Sequence, residues 1–383
     1  MNQTIHKKPK ILILFSDTGG GHRSAAEAII EAAEIMYPQE IDIELIDFFK
    51  QYSPPPFNYL PNLYPAMVRI PQAWGMGYRL SNGGRQSRLL VKSTWLYVRR
   101  SVQQLITQHP SDLVISVHPV STAAYPSAFK FHKIPFFTVV TDLVTTHAFW
   151  YNPKTDLCLV PTWEAAKRAF HFGLKEEQVK VVGLPVAERF CAPPGDKKTV
   201  KRKLKIPEDR PHILLVGGGE GMGPLASTAK AIAKDCPTVS LSIITGRNKR
   251  LERELKLQTW QIPTMIHGFV KEMPDYMRSA DIIVTKAGPG TISEALIAGL
   301  PMILYSRLPG QEDGNVSYVV SKGAGFWATK PHQISTLINQ ILESPEKYHQ
   351  AVTACKRLSR PEAAREIAQI IAERLGIFTQ SRA

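Results

Sequence analysis

Residues 10–37 read KILILFSDTGGGHRSAAEAIIEAAEIMY. Lys10–Phe15 is a short apolar run of the kind that forms a strand covered on both faces. A glycine-rich turn follows over Asp17–His22. Ser24–Tyr37 then sets alanine and isoleucine at helical spacing among good helix formers. Strand, glycine turn and helix in that order open a doubly wound α/β domain. The same order returns in the second half, with Ile213–Val216 as strand, Gly217–Gly223 as glycine turn and Pro224–Asp235 as helix. Apolar runs at 41–46, 112–117, 135–141, 156–160 and 179–182 supply the remaining strands of the first half. Those at 241–245, 265–267, 282–285 and 302–305 do so for the second. The turn-like Cys191–Gly195 and basic Lys197–Lys205 read as an interdomain connection. The expected fold class is α/β, with two Rossmann-like doubly wound domains facing a cleft. The expected domains are 1–190 and 191–360.

The 383 residues carry 47 Lys+Arg against 33 Asp+Glu, a net charge of +14. At 44% hydrophobic and 21% charged the composition is that of a globular protein, which excludes disordered and fibrous classes. The positive excess points to an anionic partner: nucleic acid, an acidic membrane surface or a phosphorylated small molecule. No apolar run is long enough to span a bilayer. The early run Ile11–Phe15 is too short for a signal-peptide core, so a cytoplasmic location is expected. The cysteines at 158, 191, 236 and 355 show no C-x-x-C spacing, which disfavours a disulfide framework or zinc site.

Residues 51–110 contain no acidic residue but carry Arg69, Arg79, Arg85, Arg88, Lys92, Arg99 and Arg100. Trp74 is one of several aromatics among them. Six prolines from 54 to 71 are expected to break regular structure, before a helix over about 86–108. Basic and aromatic residues together suit a membrane interface. They also suit a domain core with a solvated basic face, but the absence of any acidic residue favours the interface. A groove for single-stranded nucleic acid would look similar, but no nucleic-acid motif accompanies it, so no nucleic-acid partner is expected.

Four further segments carry chemistry. Gly217–Gly223 offers amides and a helix start to a phosphate group; it is neither a Walker A loop nor a dinucleotide fingerprint in register. Thr285–Ala295, TKAGPGTISEA, follows a strand and opens a helix expected over 292–299. That helix would put Glu294 in its first turn, either as a hydroxyl acceptor or as a favourable charge at the helix start. Pro309–Asn315 is either a sugar-gripping loop or a surface turn. Thr141-Asp142 ends a strand and precedes His147 and Trp150. His22, at the start of the first helix, is either a packing residue or a base kept neutral by the positive helix end. No H-E-x-x-H or loop D-x-D occurs, so no metal is expected.

Taken together, FSDTGGGHRSAAEAI (15–29), Thr141-Asp142 with His147 and Trp150, GLPV (183–186), GGGEGMG (217–223), GRN (246–248), TKAGPGTISE (285–294) and PGQE (309–312) resemble monogalactosyldiacylglycerol synthases and their bacterial diacylglycerol glucosyltransferase relatives. The likeness runs over roughly residues 10–375. The wider relatives are the lipid-linked N-acetylglucosaminyltransferases of glycosyltransferase family 28.

The resemblance implies a GT-B fold with the UDP-sugar in the C-terminal domain and the acceptor lipid at the N-terminal one. A last helix, within 361–383, would pack back on the first domain. It places Gly218, Gly219 and Gly221 at the diphosphate, and Gly246, Arg247 and Phe269 near the nucleoside. Gly288, Gly290 and Thr291 would meet the phosphates, Glu294 the ribose, and Gln311 and Glu312 the hexose. His22 would be the base, with Asp142 as second candidate or orienter. Gly20, Gly21, Trp150, Arg69, Trp74, Arg79, Arg85 and Arg88 are expected on the acceptor and membrane side. The implied reaction is inverting transfer of a hexose from a UDP-sugar to the 3-hydroxyl of diacylglycerol, without a cofactor. UDP-galactose is the favoured donor and UDP-glucose the alternative. A non-catalytic nucleotide-sugar sensor is the other class. The sequence carries no signal for oligomeric state.

Overall fold

The computed structural model describes residues 8–18, 20–55, 57–67, 70–193 and 195–377. Two compact units emerge: residues 1–188 with 309–311 and 362–383, and residues 189–308 with 312–361.

Among the described residues the first unit holds β1 (Lys10–Phe15), β2 (Asp42–Asp47), β3 (Leu113–Ser116), β4 (Phe136–Val139), β5 (Leu157–Val160) and β6 (Val179–Val181). They form one sheet in the order β2-β1-β3-β4-β5-β6, every pairing parallel. Ile11, Leu12, Ile13 and Leu14 are wholly buried, as a parallel strand covered on both faces requires. Burying such side chains stabilises the fold by about 1.5–3 kcal/mol each. The strand order reverses between β1 and β3, and in open α/β sheets the crevice beside the loops after two such strands is where ligands bind. The helix Ala363–Arg374 is part of this unit. Its Ile367 and Ile371 join the β1 core, and Ala364, Ala368 and Ala372 pack on Ala28, Ala32 and Ala33. Small residues on both helices allow this close approach.

The second unit holds β7 (His212–Val216), β8 (Ser240–Ile244), β9 (Thr264–His267), β10 (Ile282–Lys286), β11 (Met302–Ser306) and β12 (Gly325–Trp327). The sheet order is β12-β11-β10-β7-β8-β9, again all parallel. Here the order reverses between β7 and β10, the Rossmann arrangement, and the two glycine-bearing loops follow those strands.

Three expectations are corrected. The proline-rich stretch is helical over Leu60–Met67 and Pro71–Ser81. Pro61 and Pro71 stand in first turns, where a missing N–H leaves no helical bond unmade. The basic run at 197–203 is no free linker but a helix of the second unit. Lys197 Nζ reaches Asp281 Oδ1 at 2.7 Å, and buried Lys201 donates to Arg210 O at 2.7 Å. The helix after β10 spans Pro289–Ile297, beginning three residues before the expected start. Pro289 is preset for a first helical position, so Glu294 falls in the second turn. Dipole stabilisation fades within the first turn and therefore does not account for Glu294.

Candidate active site

In the first unit the turn after β1 leads into the helix Gly21–Met36, with Gly20 left-handed (φ 80°) at its cap. Arg23 grips Asp17 through Nε and Nη2, both at 2.7 Å, and this bidentate pair pins the turn. His22 is the helix's second residue and half-buried. Its Nδ1 lies 2.7 Å from Thr141 Oγ1, just beyond β4. Burial pushes its pKa down to about 4, opposed by the Val117 backbone. The imidazole is therefore neutral at pH 7, and burial, rather than the helix end invoked above, is the main cause.

A second imidazole, His118, packs edge-on to His22 at 4.7 Å. The Val120 N–H donates to His118 Nδ1 at 3.3 Å, so Nε2 carries the proton and donates to Thr18 Oγ1 at 3.1 Å. Both nitrogens of His118 are therefore engaged within this unit. In the sequence His118 is a lone histidine after a strand and carries no motif.

Asp142 is buried. Its Oδ2 accepts from Trp150 Nε1 at 2.7 Å, and its Oδ1 from Gln311 Nε2 at 3.0 Å. Thr141 touches the candidate base. Trp150 is fully buried, so its expected membrane role is corrected: it fills the core and its indole N–H is satisfied by a carboxylate. Gln311 groups with the first unit.

In the second unit, Arg247 N donates to Gly219 O at 2.8 Å and ties the loop after β8 to the glycine loop after β7. The contact demands glycine. A Cβ on Gly221 (φ +60°) would lie 2.1 Å from Thr245 O, and one on Gly246 (φ +59°) 2.4 Å from Gly219 O. Arg247 Nη1 pairs with Glu220 at 2.6 Å, and its guanidinium sits 5.8 Å over the exposed Phe269 ring. Gly288 caps the helix Pro289–Ile297. Pro289 has no N–H and Ile292 N already bonds Gly288 O, so Gly290 and Thr291 supply the first-turn amides. Glu294 is half-buried, and burial pushes its carboxyl up to about 7, with Arg189 opposing.

Glu312 is buried with both oxygens engaged: Lys286 Nζ at 2.8 Å and Leu308 N at 2.7 Å. Lys286 was legible in the sequence only as a letter within TKAGPG. Among the described residues no group of three or more His, Cys, Asp or Glu could hold a metal.

Of the expected membrane residues, Arg69 lies outside the described residues, as do the side chains of Arg85 and Arg88 in the helix Gly84–Gln108. Trp74 is half-buried and Arg79 exposed. Tyr78 is buried and donates to Thr145 O at 2.7 Å, while Phe57 and Trp95 pack on the core. The large exposed apolar side chains are mostly aliphatic: Leu63, Ile70, Met76, Leu80 and Leu89, with Tyr59. For the described residues the expectation of an aromatic surface is corrected to this extent: Tyr78 is buried and Phe57 and Trp95 pack on the core, while Tyr59 is exposed and the side chains of Tyr64 and Tyr97 lie outside the described residues. No described helix is long and apolar enough to cross a membrane.

Two Rossmann-like units define a GT-B glycosyltransferase fold. It is shared with the S. aureus MnaA–UDP structure (TM-score 0.63, 17% identity, covering 98% of this chain and 99% of that one). It is shared also with Acinetobacter baumannii MurG (TM-score 0.60, 14% identity, 95% and 100%). The family description "Monogalactosyldiacylglycerol (MGDG) synthase" matches residues 22–186, and "Glycosyltransferase family 28 C-terminal domain" matches 212–371. Monogalactosyldiacylglycerol synthase 1, chloroplastic, of Arabidopsis thaliana is 39% identical over 374 residues, covering 94% of this chain and 69% of the relative. The chloroplastic synthase of Spinacia oleracea is 38% identical over 356 residues, covering 89% and 67%. The chain belongs to the monogalactosyldiacylglycerol synthase family.

Proposed function

We propose that the protein transfers galactose from UDP-galactose to the 3-hydroxyl of 1,2-diacylglycerol, with inversion at C1. The observation that carries this reading is the 39% identity to a monogalactosyldiacylglycerol synthase across 94% of the chain. His22, held neutral and fixed through Nδ1, would take the hydroxyl proton on Nε2 as the oxygen attacks C1. The proton moves to the imidazole, the new C–O bond forms, and the bond from C1 to UDP breaks. The departing UDP carries charge that the amides of Gly218, Gly219 and Glu220, with those of Gly290 and Thr291, would stabilise, the Gly221 amide being bonded to Gly218 O. Glu294 would accept hydrogen bonds from the ribose hydroxyls. The nucleoside would lie near Gly246, Arg247 and Phe269.

The acceptor is a membrane lipid, so the enzyme would work docked peripherally on an anionic membrane surface. The support is an exposed aliphatic set next to the exposed cations Arg79, Lys92, Arg99 and Arg100. Each such cation near an anionic surface contributes about 1 kcal/mol. UDP-glucose is the rival donor, because the two hexoses differ only at C4.

The deciding experiment incubates the protein with diacylglycerol vesicles and either UDP-galactose or UDP-glucose, then determines the lipid product and its anomeric configuration. β-Galactosyl diacylglycerol supports the reading. A glucosyl product selects the rival donor. UDP binding without any lipid product would indicate a sensor instead of an enzyme.

A further inference from the structure

The mechanism above leaves the donor's charge to backbone amides, yet side-chain cations stand among them: Arg247, which is paired with Glu220, and Lys286. Lys286 is the last residue of β10, and the register against β11 shifts between Thr285 and Lys286. Such an irregularity re-aims the side chain that follows it. The aliphatic stem of Lys286 runs past the first glycine loop: a Cβ on Gly218 would lie 3.1 Å from Lys286 Cε. Its ammonium ends at the cap of the next helix: a Cβ on Gly288 would lie 2.9 Å from Lys286 Nζ. The cation therefore bridges the loop after β7 and the loop after β10 at the reversal point of the second sheet.

This placement is electrostatically unfavourable on its own. A helix N-terminus carries about half a positive charge, and cations are stabilising at the opposite end. Glu312, 2.8 Å away, supplies one negative charge, and both its oxygens are already occupied. Glu312 balances the lysine and Glu220 balances Arg247, so the amides of Gly218, Gly219, Gly290 and Thr291 have no further carboxylate partner among the described residues. Holding a partly buried ion pair costs desolvation that its Coulomb gain often only matches. A group with two adjacent negative charges would complete the arrangement.

We propose that Lys286 binds the diphosphate of the nucleotide-sugar directly, and that Glu312 positions Lys286 instead of gripping the hexose. The inference rests on the UDP-sugar reading of the donor and adds its charge-bearing contact. Lys286 would hold the β-phosphate as the bond to C1 breaks, so its contribution grows as charge develops on the leaving group.

The test measures binding of UDP and of uridine to the full chain by calorimetry. The proteins are the unmodified chain, Lys286→Met, Lys286→Arg, Glu312→Gln and the double variant Lys286→Met/Glu312→Met. Lys286→Met should weaken UDP binding by about 10- to 100-fold, the scale of one charge-assisted hydrogen bond, and leave uridine within about twofold. Lys286→Arg should recover most of the loss, and Glu312→Gln should lose less than Lys286→Met. The double variant removes both charges and keeps the buried site neutral, so it serves if Lys286→Met does not fold. It should remain weak toward UDP. Recovery of UDP binding in the double variant would overturn the proposal, since repulsion by an orphaned Glu312 would then explain the loss. Equal losses for UDP and uridine, or no loss at all, would overturn it too. An unmodified chain that binds neither UDP nor a UDP-sugar would instead overturn the donor reading, and this inference with it.

Discussion

His22 Nδ1 and Thr141 Oγ1 stand 2.7 Å apart, joining the turn after β1 to the end of β4 across the point where the first sheet's order reverses. The neighbouring Asp142 is turned to Trp150 and Gln311. If Nδ1–H donates to this buried hydroxyl, the lone pair is left on Nε2, and the partner brings no charge beside the imidazole. Thr141→Val should therefore lower kcat by about 10- to 100-fold while donor KM stays within about twofold, and Thr141→Ser should restore turnover. Steady-state kinetics on the three proteins check this. A serine variant as slow as the valine one would mean that packing, not the hydroxyl, is what matters.

The pH profile follows from the depressed His22 pKa. Its folded value of about 4 lies below the ordinary 6.5, so the ring is already neutral at pH 6. A base needs its unprotonated form, so the acid limb of kcat should fall near pH 4 to 5, and kcat should be level from there to pH 8. Replacing His22 with Ala should lower kcat by about 10²- to 10⁴-fold, with UDP affinity retained. An acid limb centred at 6.5, or near-normal turnover in the variant, would remove His22 from the role.

Glu294 predicts a different pH effect, on KM. Its carboxyl titrates near 7 because burial disfavours the charge. At the ribose a carboxylate would accept both hydroxyl bonds and the acid fewer, so on this reading donor KM should rise as pH falls from 8 to 6. In Glu294→Gln the KM should be higher throughout and level with pH. Measuring KM for the UDP-sugar, which has no phosphate titrating in that range, isolates the effect. A wild-type KM that does not change between pH 6 and 8 would exclude Glu294 from the donor site.

What the sequence revealed and what it hid divide along physical lines. Both strand–glycine–helix openings were readable because a parallel strand is apolar throughout and a glycine turn interrupts it abruptly; Ile11–Leu14 are indeed wholly buried. The strand β12 (Gly325–Trp327) was not found, since three residues carry no period. The Pro71 helix was misread because proline in a first turn looks the same in sequence as proline in a loop. His118 and Lys286 escaped because their importance arises from what stands opposite them, Thr18 and Glu312 respectively, at separations of 100 and 26 residues. The split among residues 51–110 was hidden for the same reason. Tyr78 is satisfied by Thr145 O, a partner 67 residues away, and so turns inward, whereas Leu80 and Leu89 find no such cover.

That split gives a membrane prediction with two separable parts. Arg79, Lys92, Arg99 and Arg100 are exposed, and together they should contribute about 4 kcal/mol to docking on an anionic bilayer at low salt. Changing all four to Gln should cut partition into anionic vesicles by at least about 100-fold, and raising the salt should reproduce that loss in the unmodified protein, because exposed charges are screened. Changing Met76, Leu80 and Leu89 to Ser should weaken binding by an amount that salt does not alter, since apolar insertion is not screened. Vesicle co-sedimentation at two salt concentrations measures both parts, and UDP binding to each variant verifies that the fold is intact. If both sets of variants partition as the unmodified protein does, this face is not the one that meets the lipid.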